Sequence, residues 1–261
     1  MEYWITVVMK KLRNYMKSAL RDFMRRTGYK IFKIGPYSVF DFESFLYRHL
    51  AVHKTLSFIQ IGANDGVMND PIYQFNMENK SVISGFVLEP LPDMYKNLKK
   101  NYQSCPSVKP FNLAIHATET EMVLHRVKPA LTSEVPKFAQ GVASFDEAHW
   151  KKTGVVPSAE FIEQVKVKCV SWINFIKSND IDEVDLLLID TEGYDYEILM
   201  SVDFKTLRPK MIRFEHGVRN GVMSPENFTT VCSHLNSFGY QIIAESYDAT
   251  AYLLDPKDLI F

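Results

Sequence analysis

The sequence predicts an α/β fold: a doubly wound, mostly parallel seven-stranded sheet with a terminal antiparallel hairpin, preceded by an N-terminal helical extension. Two observations lead there. From residue 56 onward, short apolar runs alternate with amphipathic segments of helix length, the pattern of parallel strands with helices on both faces. The last two apolar runs are joined by a turn around Tyr247-Asp248 that is too short for a crossover helix, so they must be antiparallel neighbours.

The elements follow in order. Residues 2–27 read as an amphipathic helix: Ile5, Val8, Leu12, Tyr15, Met16, Ala19, Leu20 and Phe23 recur at three- and four-residue steps, and Gly28 is a C′ stop. A second helix over 42–53 carries Phe42, Phe45, Leu46 and Leu50 on one side. Residues 1–50 are the extension and 51–261 the main domain. Residues 56–61 form a buried strand that enters the turn Gly62-Ala63-Asn64-Asp65-Gly66. A helix over 71–77, a strand over 85–88 ending at Glu89, a helix over 92–102 and a strand over 108–113 follow. Residues 121–127 alternate as a hairpin or edge strand does. Residues 128–163 show no clear period and hold Phe138, Phe145 and Trp150 among prolines and glycines, which suits a lid or binding loop. Residues 165–170 return to strand, Ser171 caps the helix of Trp172, Ile173 and Ile176, and 184–189 is an apolar strand ending at Asp190. A helix over 194–202 and a strand over 211–214 ending at Glu215-His216 come next. Ser224 and Pro225 open a helix to about Phe238, and strands over 240–245 and 251–254 close the chain.

Composition narrows the function classes. The 261 residues are 46% hydrophobic and 23% charged, enough for a packed core and unlike a disordered chain. A net charge of −1 argues against nucleic acid as a partner of the chain as a whole. Cys105, Cys169 and Cys232 are odd in number and widely spaced, which excludes a disulfide framework and a cysteine zinc site and suits the cytoplasm. No apolar run approaches the roughly 20 residues that cross a bilayer, and the N-terminus lacks the order of a signal peptide. Charge is concentrated: Lys10, Lys11, Arg13, Lys17, Arg21, Arg25, Arg26, Lys30 and Lys33 stand against Asp22 alone. The basic helix of residues 2–27 then has three readings: packing on the domain or on a second subunit of a homo-oligomer, peripheral contact with the inner face of an anionic membrane through Trp4, Ile5, Val8 and Leu12, or binding of an anionic substrate.

In open α/β sheets ligands bind at the carboxyl ends of the strands, which directs attention to 62–66, Glu89, 190–193 and Glu215-His216. Gly62 and Gly66 can take positive φ and admit a ligand to the backbone, and Asn64 tolerates the left-handed region. The loop lacks the G-x-G-x-x-G pattern of dinucleotide binders, since Val67, Met68 and Asn69 follow. Glu89, 27 positions after Gly62, can accept hydrogen bonds from both hydroxyls of a ribose. Asp190 sits at the sheet mouth, where it serves as helix cap, base or both. Asp190, Glu192 and His216 are the candidate bases, His216 having the best ordinary pKa at neutral pH. Asp190, Glu215 and His216 are also a candidate set for Mg²⁺, although histidine is an unusual ligand there. His149 and Trp150 could meet an acceptor or simply pack the lid. Asn69 and Asp70 could close over a cofactor or cap a helix.

Four motifs carry a resemblance. Phe58-Ile59-Gln60-Ile61-Gly62-Ala63-Asn64-Asp65-Gly66, then Val87-Leu88-Glu89-Pro90-Leu91-Pro92 with Asn97-Leu98 and Asn101, then Asn112-Leu113-Ala114-Ile115, then Asp185-Leu186-Leu187-Leu188-Ile189-Asp190-Thr191-Glu192-Gly193 resemble the FkbM-type methyltransferases over roughly 56–216. Leu188 stands where that family commonly has lysine, and Tyr194-Asp195 where Ala-Glu is usual. The layout is that of the class I, Rossmann-like methyltransferases. The resemblance implies S-adenosylmethionine as cofactor and methyl transfer to a hydroxyl of a small natural product or of a sugar in a surface glycan or its precursor. It implies that Gly62, Ala63, Asn64, Asp65 and Gly66 border the methionine part, that Glu89 with Pro90 holds the ribose, and that Asn112, Ala114 and Ile115 lie beside the adenine, with Asp190 near the methyl group. An NAD-dependent oxidoreductase and a non-catalytic binding module in a glycan assembly complex are the rivals.

Overall fold

The computed structural model describes residues 12, 15–17, 19–21, 23–25, 27 and 40–255, and the side chains of residues 137 and 138 are not described. The chain divides into two compact units, Met1–Val39 and Phe40–Phe261. The described residues 12, 15–17, 19–21 and 23–25 are helical. Trp4, Ile5, Val8 and the Gly28 stop lie outside the described residues.

In the second unit the sheet has seven strands in the order β10-β11-β9-β8-β1-β2-β3. These are β1 (Leu56–Ile61), β2 (Ile83–Leu88), β3 (Val108–Phe111), β8 (Leu186–Ile189), β9 (Met211–Glu215), β10 (Gln241–Ala244) and β11 (Asp248–Tyr252). β3, β2, β1, β8 and β9 run parallel, and β11 pairs antiparallel with both β9 and β10. The order reverses between β1 and β8, so the crevice over their carboxyl ends is the switch point where such sheets bind ligands.

The run Leu186-Leu187-Leu188-Ile189 is apolar throughout because both faces of β8 are covered. Leu187 and Ile189 join Ile59, Ile61, Ile212 and Phe214 on one face. They pack beneath α5 (Trp172–Ser178), α6 (Asp195–Ser201) and α7 (Pro225–Ser237). Leu186 and Leu188 face the other way with Phe58 and Met211, under α1 (Phe42–His53), α2 (Tyr73–Glu78) and α3 (Pro92–Asn101). Thus α1, grouped with the extension on sequence, packs Phe42 and Leu46 into this core. The expected caps are present: Ser171 Oγ and Ser224 Oγ accept the N–H groups of Asn174 and Asn227.

The principal departure from the sequence reading is a second sheet. β4 (Ala114–Ile115), β5 (Glu121–Val127), β6 (Ala143–Ser144) and β7 (Ile162–Val170) form it in the order β4-β7-β5-β6. β5 and β7 pair antiparallel from Glu121↔Lys168 to Val127↔Ile162, so the 128–161 segment is the connection of one long hairpin. That segment is not structureless. It contains short 3₁₀ turns, β6 and α4 (His149–Thr153). It also has its own small core, in which Trp150 packs with Val127, Ala139, Val155 and Val156. Among the described residues no helix is long and apolar enough to cross a membrane.

Leu187 is fully buried at the centre of the sheet. Leu187→Ala should cost about 2–5 kcal/mol, read as a lowered midpoint in urea with an unchanged slope.

Candidate active site

The cleft lies over the carboxyl ends of β1, β2, β8 and β9 and is walled on one side by residues 141–145 of the hairpin connection. Its floor begins at the glycine turn. Gly62 has φ +82°, and a Cβ there would stand 1.7 Å from the Asp190 carbonyl oxygen, so only glycine lets the ends of β1 and β8 meet this closely. The Gly62 and Ala63 N–H groups both donate to Leu88 O, at 3.0 and 2.9 Å, pinning the turn to the end of β2. Asn64 takes a left-handed φ of +50°.

Glu89 ties the turn down. It is buried, with Oε2 accepting from Asn64 N–H and Oε1 from Leu91 N–H, each at 2.8 Å. Each oxygen keeps a further lone pair, and the carboxyl lines the cleft. Burial pushes its pKa up to about 7 against the two N–H bonds and the charge of Arg126, which pull it down.

Not every residue singled out on sequence faces the cleft. Gly62, Ala63, Asn64, Glu89, Pro90, Ala114, Ile115, Asp190 and Glu192 line it, together with Leu113. Asp65, Gly66 and Asn112 support it from behind. Asp65 Oδ1 accepts from Val67 and Met68 N–H, and Gly66 makes room for Leu98 and Tyr102. Asn112 Nδ2 donates to Glu89 O and Pro90 O, at 2.9 and 2.8 Å. Phe145 adds an aromatic face beside Ala114 and Ile115, edge-on to Tyr194 and to His116, which are themselves stacked at 5.0 Å.

The other end of the cleft is acidic. Asp190 is open to the cleft yet ringed by protein, and it has no hydrogen-bond partner among the described residues for its carboxylate. The surrounding walls and the charges of Glu192, Asp195, Asp248 and Asp70 hold its pKa well above the carboxylate range. Glu192 has a left-handed φ of +52°, which a glutamate adopts only under constraint. The hairpin connection supplies that constraint: Ser144 Oγ donates to Glu192 O at 2.7 Å, and His149 Nε2 lies 2.9 Å from Glu192 Oε2. Asp195, fully buried, fixes the turn between them. Its Oδ2 accepts from Thr191 N–H and Oγ1–H, and its Oδ1 from Glu215 N–H.

Two expectations need correction. His216 does not reach the cleft as a base. It is buried against Phe228, its Nδ1 accepts from Val218 N–H at 3.3 Å, and Nε2 is left to donate to Glu245 O at 3.2 Å. Neither nitrogen keeps a lone pair for an acceptor. For the same reason Asp190, Glu215 and His216 do not converge on Mg²⁺. Among the described residues no group of three histidine, cysteine or acidic side chains is arranged to hold a metal ion.

Other lining residues were not singled out. Arg213 donates to Glu245 Oε2 and Asp248 Oδ2, at 2.6 and 2.8 Å, and brings Asp248 to the rim. Its sequence signal was a lone charge in the apolar strand Met-Ile-Arg-Phe. Gln60, at the end of β1, donates Nε2–H to Asp70 Oδ2 at 2.8 Å. Trp150 packs inside the connection and does not line the cleft.

Residues 60–242 match the methyltransferase FkbM domain. The chain belongs to the FkbM methyltransferase family. It is accordingly an S-adenosylmethionine-dependent methyltransferase, and a glycine-lined floor with an available buried carboxylate fits that cofactor. No curated protein matches the sequence. Among solved structures, a methyltransferase FkbM from Methylobacillus flagellatus KT is 11% identical at a TM-score of 0.45, over 76% of this chain and 44% of that one. An O-methyltransferase from Bacillus cereus in complex with SAH is 11% identical at a TM-score of 0.41, over 84% of each chain. A precorrin-6y C5,15-methyltransferase from Geobacter metallireducens GS-15 is 13% identical at a TM-score of 0.37, over 79% of this chain and 87% of that one.

The buried carboxyls set a pH dependence. Burial lifts Asp70 and Asp195 to about 6 and Glu89 to about 7. Above the ordinary carboxylate pKa the unfolded chain has released these protons while the folded protein still binds them, so stability falls as pH rises. The melting temperature of the ligand-free protein should decline from about pH 5 to about pH 8, and the decline should be shallower in Glu89→Gln.

Proposed function

We propose that this enzyme methylates a hydroxyl oxygen, and that the hydroxyl belongs to a sugar of a surface glycan or its precursor. S-adenosylmethionine, when bound, supplies an electrophilic methyl group carried on a sulfonium. In this reading Glu89 accepts the ribose hydroxyls, the 62–66 turn borders the methionine part, and Ala114, Ile115 and Phe145 flank the adenine. Asn112 acts from behind by fixing the Glu89-Pro90 backbone.

The observation that carries the chemistry is the Glu192 carboxylate, held at the cleft by His149 from the opposite wall. Methyl transfer to oxygen needs a base within hydrogen-bond reach of the hydroxyl. Glu192 takes that proton, and His149 fixes which oxygen faces the cleft. Asp190 accepts a hydrogen bond from the acceptor and orients it. Support for a sugar comes from the lining itself. Asp70, Asp190, Glu192 and Asp248 place carboxyl groups along the lining, which accept from the hydroxyls of a polyol and, where burial keeps them protonated, donate to them. The test is transfer of labelled methyl groups to a panel of sugars and small phenolic compounds. Transfer to phenols alone would replace the sugar by a natural-product acceptor.

Two results are expected. Affinity for S-adenosylmethionine, measured by calorimetry, should tighten as pH rises through about 7, because the ribose hydroxyls bind the ionised form of Glu89. Glu89→Ala should weaken binding about tenfold or more and abolish that pH dependence. On an accepted substrate, Glu192→Gln should lower turnover by about 10²–10⁴ while leaving cofactor affinity within a few fold.

A further inference from the structure

We infer that the N-terminal unit is an in-plane docking element for the surface of an anionic lipid bilayer. In the helical residues of this unit, Leu12, Tyr15, Met16, Leu20 and Phe23 are each 50–73% exposed. Their spacings of three, four and eight residues from Leu12, then three more to Phe23, place them on one stripe of a helix. Large apolar side chains gathered in one exposed stripe mark a surface that is covered in use.

Charge selects the cover. Nine basic residues and one acid between Lys10 and Lys33 give this stretch a net charge of +8, in a chain whose overall charge is −1. A second copy would bring the same positive stretch against this one. An anionic bilayer offers an apolar layer beneath a negative surface, which matches a helix bearing both features. Lys17 and Arg21, both exposed, directly follow the stripe residues Met16 and Leu20, so Lys17 sits beyond the stripe's edge and Arg21 on the face away from it. Their long stems let the charges reach headgroups while the stripe enters the acyl boundary. A nucleic acid has no apolar layer to receive Leu12, Leu20 and Phe23. None of this depends on the acceptor proposed above.

The test is co-sedimentation of the 261-residue protein with vesicles of phosphatidylcholine alone or with one third phosphatidylglycerol. Binding to the anionic vesicles and little to the neutral ones is expected, weakening as salt is raised. The double variant Lys17→Glu, Arg21→Glu should lower the partition coefficient roughly tenfold or more. Leu20→Asp with Phe23→Asp should do likewise, since both groups are exposed and their replacement leaves the folded domain intact, with calorimetric affinity for S-adenosylmethionine as the control. No binding to either vesicle would overturn the inference. So would binding that ignores the apolar substitutions, which would indicate a simple polyanion site, or a concentration-dependent dimer lost in the apolar variant without any vesicle binding, which would assign the stripe to a second copy.

Discussion

Glu89 is a potential charge held almost entirely away from water, and the cleft is organised around satisfying it. A buried carboxylate is tolerated only when it is hydrogen-bonded, and the donors nearest to hand are the backbone N–H groups of the two turns that follow β1 and β2. By accepting from Asn64 and Leu91, the one side chain sets the relative position of both turns. Asn112 Nδ2 then donates to the carbonyls of both Glu89 and Pro90, so Glu89 is fixed through side chain and backbone alike. The left-handed conformations at Gly62 and Asn64 follow from this geometry, because the first turn must fold back tightly to present an N–H to the carboxylate.

The acidic end obeys a different logic. Asp190, Glu192, Asp195, Glu215 and Asp248 crowd the ends of β8, β9 and β11, and each raises the cost of ionising its neighbours. Glu215 shows the consequence: burial and these neighbours lift its pKa far above the carboxylate range, and its Oε2 has no partner among the described residues. Arg213 offsets part of this charge through Glu245 and Asp248, and its guanidinium also lies over the Phe42 ring, 4.7 Å from the centroid. The result is a carboxyl-rich surface beside an apolar one bounded by Ile115 and Phe145, so the two halves of the cleft differ sharply in polarity.

Much of this was legible in the sequence because it is carried by short-range patterns. The uninterrupted Leu186–Ile189 run announced a strand covered on both faces, and the Gly62–Gly66 and Glu89 positions followed from the topology once β1 and β2 were recognised. The second sheet was not legible. β5 and β7 meet across 34 intervening residues, from Val127 to Ile162, and no local periodicity records such a pairing. His216 misled for a related reason. Its place at a strand end and its ordinary pKa suggested a base, but whether its nitrogens are free depends on Val218 and Glu245, the latter reached only through the β10–β11 hairpin. The His149–Glu192 pair likewise joins residues 43 apart, and only the fold of the connection brings them together.

The hairpin connection has an evolutionary consequence. Its two ends are neighbours, since Val127 pairs with Ile162, and everything between them returns to the point from which it left. It brings Phe145 to the cleft and sets Ser144 and His149 against Glu192 from a single uninterrupted stretch, while the parts of the floor that hold Glu89 and Gly62 come from the parallel sheet. A descendant could therefore exchange this stretch as one cassette, reshaping that wall of the cleft without disturbing the sheet beneath. Insertions there add little loop-closure entropy, because that cost grows only slowly with length. One wall of the cleft can thus be rebuilt by replacement of a single module, with the strand ends that carry Gly62 and Glu89 left in place.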